Sequence, residues 1–255
     1  MTTYAGKKAV VSGGSIGLGL AIARQLVAGG AEVLVTGRTE AHLARARDVL
    51  GPRAHVLRVD VRDLGAIDGL AAEARARLGA LDAVFVNAGI ARLTPQAEVD
   101  ASEYDLTFAV NARGAFFTAQ KLAPLVTRGG AVVFTTSIAN ASGYPGMSVY
   151  AGTKAAVRSF AQGFAAELLE AGVRVNALSP GFVETPTMGV EGASEADLVA
   201  FRREGEVVTP MKRLGTADEV ARAALFLAFE ATFCTGIELV ADGGLSSLSF
   251  PASHV

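Results

Sequence analysis

Lys8-Ala9-Val10-Val11-Ser12-Gly13-Gly14-Ser15-Ile16-Gly17-Leu18-Gly19 joins a short apolar run to an amphipathic one through a cluster of glycines. The Val/Ala run has the composition of a strand buried on both faces. From Leu18 to Ala28 the apolar residues recur at helical spacing. Glycines between a strand and a helix let the chain turn sharply and bring backbone N–H groups against a pyrophosphate. The helix N-terminus adds a favourable dipole. Gly13, Ser15, Ile16, Gly17 and Gly19 are therefore candidates for holding the phosphates of a dinucleotide. Their spacing is Gly-x-x-x-Gly-x-Gly rather than Gly-x-Gly-x-x-Gly.

Working outward, the same alternation repeats. Strand-like runs lie at Glu32 to Thr36, Ala54 to Val59, Asp82 to Val86, Ala131 to Thr135, Arg174 to Leu178 and Gly236 to Val240. Helical patterns follow at Glu40 to Leu50, Leu64 to Leu78, within Ser102 to Val126, at Ser148 to Ala171 and at Asp218 to Phe229. This alternation predicts an α/β fold, a doubly wound parallel sheet with helices on both faces, in one domain over 1–255. The one long break, Pro180 to Gly215, surrounds a short helical stretch at Glu195 to Glu204 and is expected to form a substrate lid over about 182–212.

Composition narrows the function. Of the 255 residues, 51% are hydrophobic and the net charge is −2, with charges of both signs interspersed, so no basic surface for nucleic acid is expected. No apolar run is long enough to span a membrane. The first residues lack the pattern of a signal peptide, which leads to an expectation of a cytoplasmic protein. The lone Cys234 excludes a disulfide within the chain, and His42, His55 and His254 are scattered surface or boundary residues, so no metal site is expected.

At the end of the second strand, where NAD enzymes usually carry a carboxylate for the ribose diol, the chain has Thr36-Gly37-Arg38. A guanidinium there can pair bidentately with a 2′-phosphate, which favours NADP(H) and makes NAD(H) the lesser expectation. After the strand ending in Thr135-Thr136-Ser137 comes Tyr150-Ala151-Gly152-Thr153-Lys154, whose phenol and ammonium share a helix face. A free Tyr, with a pKa of about 10, is too weak a base near neutrality. A cation roughly 4 Å away at an effective dielectric near 20 supplies about 4 kcal/mol, enough to lower it by about three units. Lys154 is thus expected to depress Tyr150.

These motifs resemble the short-chain dehydrogenase/reductase family, in its type of about 250 residues, over nearly the whole chain. Gly13, Gly17 and Gly19 resemble its nucleotide-binding turn, and Ser12 stands in place of the usual Thr. Asp60-Val61 resembles its adenine-contacting pair and Asn87-Ala88-Gly89 its Asn-Ala-Gly turn, in which Asn87 also braces the sheet. Pro180, Gly181, Val183 and Thr185 resemble the segment holding the nicotinamide amide, and Asp242-Gly243-Gly244 the C-terminal signature. Asn111, Ser137, Tyr150 and Lys154 match its catalytic tetrad. The resemblance implies a Rossmann-like fold and Tyr150 as acid/base. It implies that Ser137 hydrogen-bonds the substrate oxygen, that Lys154 also holds the nicotinamide ribose, and that Asn111 positions a relay water. It also implies a homotetramer, built on the helices in 102–126 and 148–171 and on the segment 242–248.

The resulting expectation is hydride transfer between NADP(H) and a small carbonyl or alcohol, neutral and moderately hydrophobic. Ile90, Leu93, Ile138, Tyr144, Met147, Phe182, Met188 and Met211 are expected to line its pocket, while Arg92, Glu184 and Glu191 face solvent. A non-catalytic nucleotide-binding sensor or scaffold of the same fold is the alternative. It would be betrayed by loss of Ser137, Tyr150 or Lys154, and all three are present.

Overall fold

The computed structural model describes residues 3–192 and 194–248, so His254 and position 193 of the expected lid lie outside it. Its strands are β1 (Lys8–Ser12), β2 (Glu32–Gly37), β3 (Ala54–Arg58), β4 (Leu81–Val86), β5 (Val126–Thr135), β6 (Arg174–Pro180), β7 (Val183–Glu184), β8 (Gly215–Thr216) and β9 (Glu238–Ala241). Seven form one sheet in the order β3-β2-β1-β4-β5-β6-β9, every pairing parallel. The helices are α1 (Gly17–Ala28), α2 (Glu40–Leu50), α3 (Leu64–Arg77), α4 (Ala101–Phe108), α5 (Ala115–Leu122), α6 (Ser148–Glu167), α7 (Glu195–Val208) and α8 (Ala217–Leu225).

Successive side chains of a strand point to opposite faces, and the two cores follow that alternation. Ala9, Val11, Val33, Val35, Ala83 and Phe85 face one side, with Ile22 and Leu26 of α1 and Val220 and Ala224 of α8. Val10, Leu34, Val84, Val86, Val132 and Phe134 face the other, with Leu70 of α3, Ala119 of α5 and Val157 of α6. A sheet covered on both faces needs strands apolar throughout, which is why the runs are nearly pure Val, Ala, Leu and Phe. The strand order reverses between β1 and β4. In such sheets the crevice beyond the carboxyl ends at that reversal is where ligands bind.

Several elements differ from the expected ones. The long helix over 102–126 is interrupted by a π-helical turn at Ala109–Gly114. Strand β5 starts at Val126 rather than Ala131, and its register against β4 shifts between Leu81 and Ala83. Gly129, at φ 86°, and Gly130 hid that beginning from a reading based on β-branched residues. Helix α6 stops at Glu167, while α7 runs four residues beyond Glu204, to Val208. Strands β7 and β8, two residues each, pair near the two ends of the long break at 180–215. Among the described residues no helix is long and apolar enough to cross a membrane, and no cluster of three or more potential metal ligands occurs.

Candidate active site

A groove of about 480 Å³ runs along the carboxyl ends of the strands. Its wall begins at the glycine turn after β1. Gly13 adopts φ 64°, and a Cβ there would lie 2.7 Å from Ala88 Cα. A Cβ on Gly19 would collide with Gly13 O and Asn87 Nδ2. Only glycine lets these two turns close on each other. Ser12 Oγ accepts from the backbone N–H groups of Asn87 (3.1 Å) and Ala88 (3.3 Å). Asn87 Nδ2 donates to Gly13 O at 3.2 Å, and the Thr135 hydroxyl donates to Asn87 Oδ1 at 3.2 Å. Asn87 thus ties β1, β4 and β5 together. Helix α1 opens without a side-chain cap and without an acidic residue in its first turn. Its first N–H groups face the groove with a positive dipole, which suits a pyrophosphate.

Ser15, Ile16, Gly17, Arg38, Asp60, Val61, Ala88, Gly89, Pro180, Gly181, Val183 and Thr185 line the groove together with Gly13 and Asn87. Gly19 is packed beneath the turn. Asp60 grips Arg62, at 2.9 Å to Nε and 2.5 Å to Nη2, and that guanidinium holds the carboxyl below its usual range. A dinucleotide fits this lining: a glycine turn with uncapped helical N–H groups, a guanidinium at the far end of β2, and hydroxyl and amine groups at the other end.

That other end gathers three of the residues expected to be catalytic. Ser137, Tyr150 and Lys154 all line the groove. Lys154 is 4% exposed, and its Nζ donates to Thr135 O at 2.9 Å. Burial alone pulls it down to about 8. Tyr150 opens onto the groove, but the protein packed around its ring pushes the phenol above its usual value, against a downward pull from the Ser137 hydroxyl. This corrects the expected depression of Tyr150. Lys154 Nζ lies 5.7 Å from the centre of the ring, over its face. Between the side chains alone, desolvation outweighs the cation.

Asn111 sits in the π turn, 1% exposed, behind the groove wall. Its Oδ1 accepts from Ile90 N (2.8 Å), and its Nδ2 donates to Ile90 O (2.8 Å) and Thr153 Oγ1 (3.1 Å). Its amide is therefore occupied in fastening the loop after Gly89 to α6. A Cβ on Gly89 would lie 3.3 Å from both Asn111 Oδ1 and Lys154 Nζ.

A smaller cavity, about 100 Å³, opens beside Ser137 and Tyr150. Ile138, Tyr144, Met147, Phe182 and Met188 line it as expected, joined by Ala91, Val190 and Phe201. Leu93 (42% exposed) and Met211 (59%) point away, and Ile90 lines the groove instead. Arg92 and Glu191 are not simply solvated as expected: they face each other at 3.6 Å, and Glu191 also holds Arg38.

A charged residue also escaped sequence reasoning. Glu238 of β9, its side chain 10% exposed, accepts from Thr136 Oγ1 and Asn140 Nδ2, each at 2.6 Å, and pairs with Arg158 Nε at 3.2 Å. It clamps the loop carrying Ser137 to the helix carrying Tyr150 and Lys154. Its signal was a carboxylate inside an otherwise apolar strand.

A parallel sheet with a dinucleotide groove ending in Ser, Tyr and Lys defines an oxidoreductase that uses a nicotinamide cofactor. The chain belongs to the short-chain dehydrogenase/reductase family. Residues 13–246 match the family described as Enoyl-(Acyl carrier protein) reductase. The chain is 37% identical to L-fucose dehydrogenase of Bos taurus over 246 residues, 95% of this chain and 90% of that protein. It is 34% identical to gluconate 5-dehydrogenase of Gluconobacter oxydans over 253 residues, 96% of each. The crystal structure of a 3-ketoacyl-(acyl-carrier-protein) reductase from Brucella melitensis, complexed with NADH, superimposes with a TM-score of 0.87 at 29% identity. The match covers 96% of this chain and all of that one.

Proposed function

We propose that this protein moves a hydride between NADP(H) and a small, neutral ketone or secondary alcohol. The observation that carries the reading is the convergence of Ser137, Tyr150 and Lys154 at one end of a groove whose other end presents Arg38. The bound nicotinamide supplies or accepts the hydride. The Ser137 hydroxyl donates to the carbonyl oxygen and orients it. Tyr150 Oη gives its proton to that oxygen in reduction and takes it back in oxidation. A phenol raised by burial is fully protonated at neutral pH, ready for the reductive direction. Lys154, held toward Thr135 O, offers its ammonium to the nicotinamide ribose and to the proton exchange behind Tyr150. Asn111 supports that exchange by fixing Ile90 and Thr153.

The small cavity supports a neutral substrate. Apart from Ser137, Tyr144 and Tyr150 its walls are apolar, and an unpaired carboxylate buried there would be costly. Arg92, beside the cavity residue Ala91 in the chain, is balanced by Glu191 at 3.6 Å and Glu103 at 4.0 Å. The likeness to L-fucose and gluconate dehydrogenases favours a second reading, a sugar or polyol oxidised at one secondary alcohol. Turnover with both cofactors against neutral ketones, matched keto acids and polyols decides between them. Preference for the acids, lost in Arg92→Ala, would overturn the neutral class, and activity on polyols alone would establish the second reading.

A homotetramer in the cytoplasm is part of the same proposal. Phe108, Phe116, Phe117 and Phe160 leave half-buried apolar surface in a groove beside α4, α5 and α6 that Asp60, Arg62, Asp63, Asp105 and Arg113 also line. Gly152, Ala155, Ser159 and Gly163 form an exposed stripe of small residues on α6. Both suit close approach by a second copy.

A further inference from the structure

Glu191 holds its carboxylate between two guanidinium groups. Its Oε1 accepts from Arg38 Nη2 at 2.7 Å. Its Oε2 lies 3.6 Å from Arg92 Nη2, buried and without a hydrogen-bond partner among the described residues. Backbone contacts fix this placement. Glu191 N donates to Ala91 O at 2.8 Å, Ala91 N donates to Gly189 O at 2.9 Å, and Val190 pairs in parallel with Ala91. The lid is thereby docked along the loop after β4, and it delivers a carboxylate to the part of the groove walled by Arg38, Thr39 and His42. Asp60, the carboxylate of this part of the groove that also feels Arg38, is taken by Arg62.

We infer that Glu191 is a cofactor-selectivity residue: from the lid, it competes with an adenosine 2′-phosphate for Arg38. It thereby reduces the preference for NADP(H) over NAD(H) that Arg38 creates. The inference rests on the proposed reading that Arg38 faces the 2′ position. A carboxylate there occupies the guanidinium's donors and repels a second anion. A 2′-hydroxyl is neutral and can donate to the same carboxylate, so NAD(H) meets no such opposition. The side chains of Arg38 and Glu191 are 44% and 27% exposed, so solvent screens the competition and an effect of about tenfold is expected.

Glu191→Gln keeps the size and an acceptor for Arg38 while removing the charge. Calorimetric titration of the cofactor-free protein with NADPH and with NADH gives the dissociation constants directly. The substitution should tighten NADPH about tenfold and leave NADH within about twofold. The gain should vanish when the same change is made in Arg38→Ala. An NADPH constant that does not tighten in Glu191→Gln, while Arg38→Ala alone weakens NADPH, overturns the inference and leaves the NADP reading standing. An undiminished gain in the Arg38→Ala background also overturns it, because the effect would then be general charge. NADPH binding unchanged in Arg38→Ala overturns the NADP reading and the inference with it.

Discussion

Lys154 shows how a functional side chain loads the fold. An ammonium buried without a carboxylate falls from 10.5 to about 8, because burial disfavours its charged form. At neutral pH it is still mostly charged, so the native state bears that cost. The unfolded chain keeps its proton up to about 10.5, so between about 8 and 10.5 it binds more protons than the native state, and stability rises with pH through that window. Lys154→Met should therefore stabilise the cofactor-free protein at pH 7, by on the order of 3 kcal/mol at most, while abolishing turnover. Thermal melts should show the Met variant's advantage at pH 7 shrinking as pH rises beyond 8. A variant less stable than the parent at pH 7 would contradict this account. Residue types and spacing named the expected tetrad; Ser137, Tyr150 and Lys154 line one groove, and Asn111 stands behind its wall. The sign of the Tyr150 shift was not legible. Spacing on a helix gives a shared face but not whether the ammonium reaches the hydroxyl or the ring.

The π turn at Ala109–Gly114 shows the same limit at the scale of an element. Periodicity over 102–126 reads as one helix, because a single inserted residue barely disturbs the pattern. The insertion turns Asn111 inward, where it binds Ile90 at both backbone groups. Asn111→Ala leaves those two half-buried groups unpaired, at about 1–2 kcal/mol each, the lower part of the usual range. Urea unfolding should show a loss of roughly 2–4 kcal/mol on that basis, with turnover falling further than cofactor affinity. A midpoint within error of the parent would remove the bracing role. The main strands were legible because burial on both faces leaves an unmistakable composition, whereas β7 and β8, at two residues each, carry no periodicity to read. The long break at 180–215 was legible, but the contacts of its Glu191 with Arg38 and Arg92 depend on chain paths that local sequence does not encode.

At the scale of the whole molecule, the doubly wound sheet was legible from strand–helix alternation, and its order β3-β2-β1-β4-β5-β6-β9 puts the groove at the reversal of direction. The groove that Phe116, Phe117 and Phe160 line should be covered by a second copy. Light scattering at micromolar concentration should report a tetramer, and Phe116→Asp should shift it toward smaller species. A monomer in the parent protein would contradict the assembly. The central claim is that groove and catalytic residues act together as one nicotinamide-dependent reductase. Tyr150→Phe tests it most directly, because it keeps the ring and removes only the hydroxyl that carries the proton. With both cofactor dissociation constants and steady-state turnover measured, cofactor affinity should stay within about twofold while kcat falls by roughly 10²–10⁴-fold or more. Near-normal kcat in Tyr150→Phe would contradict the account.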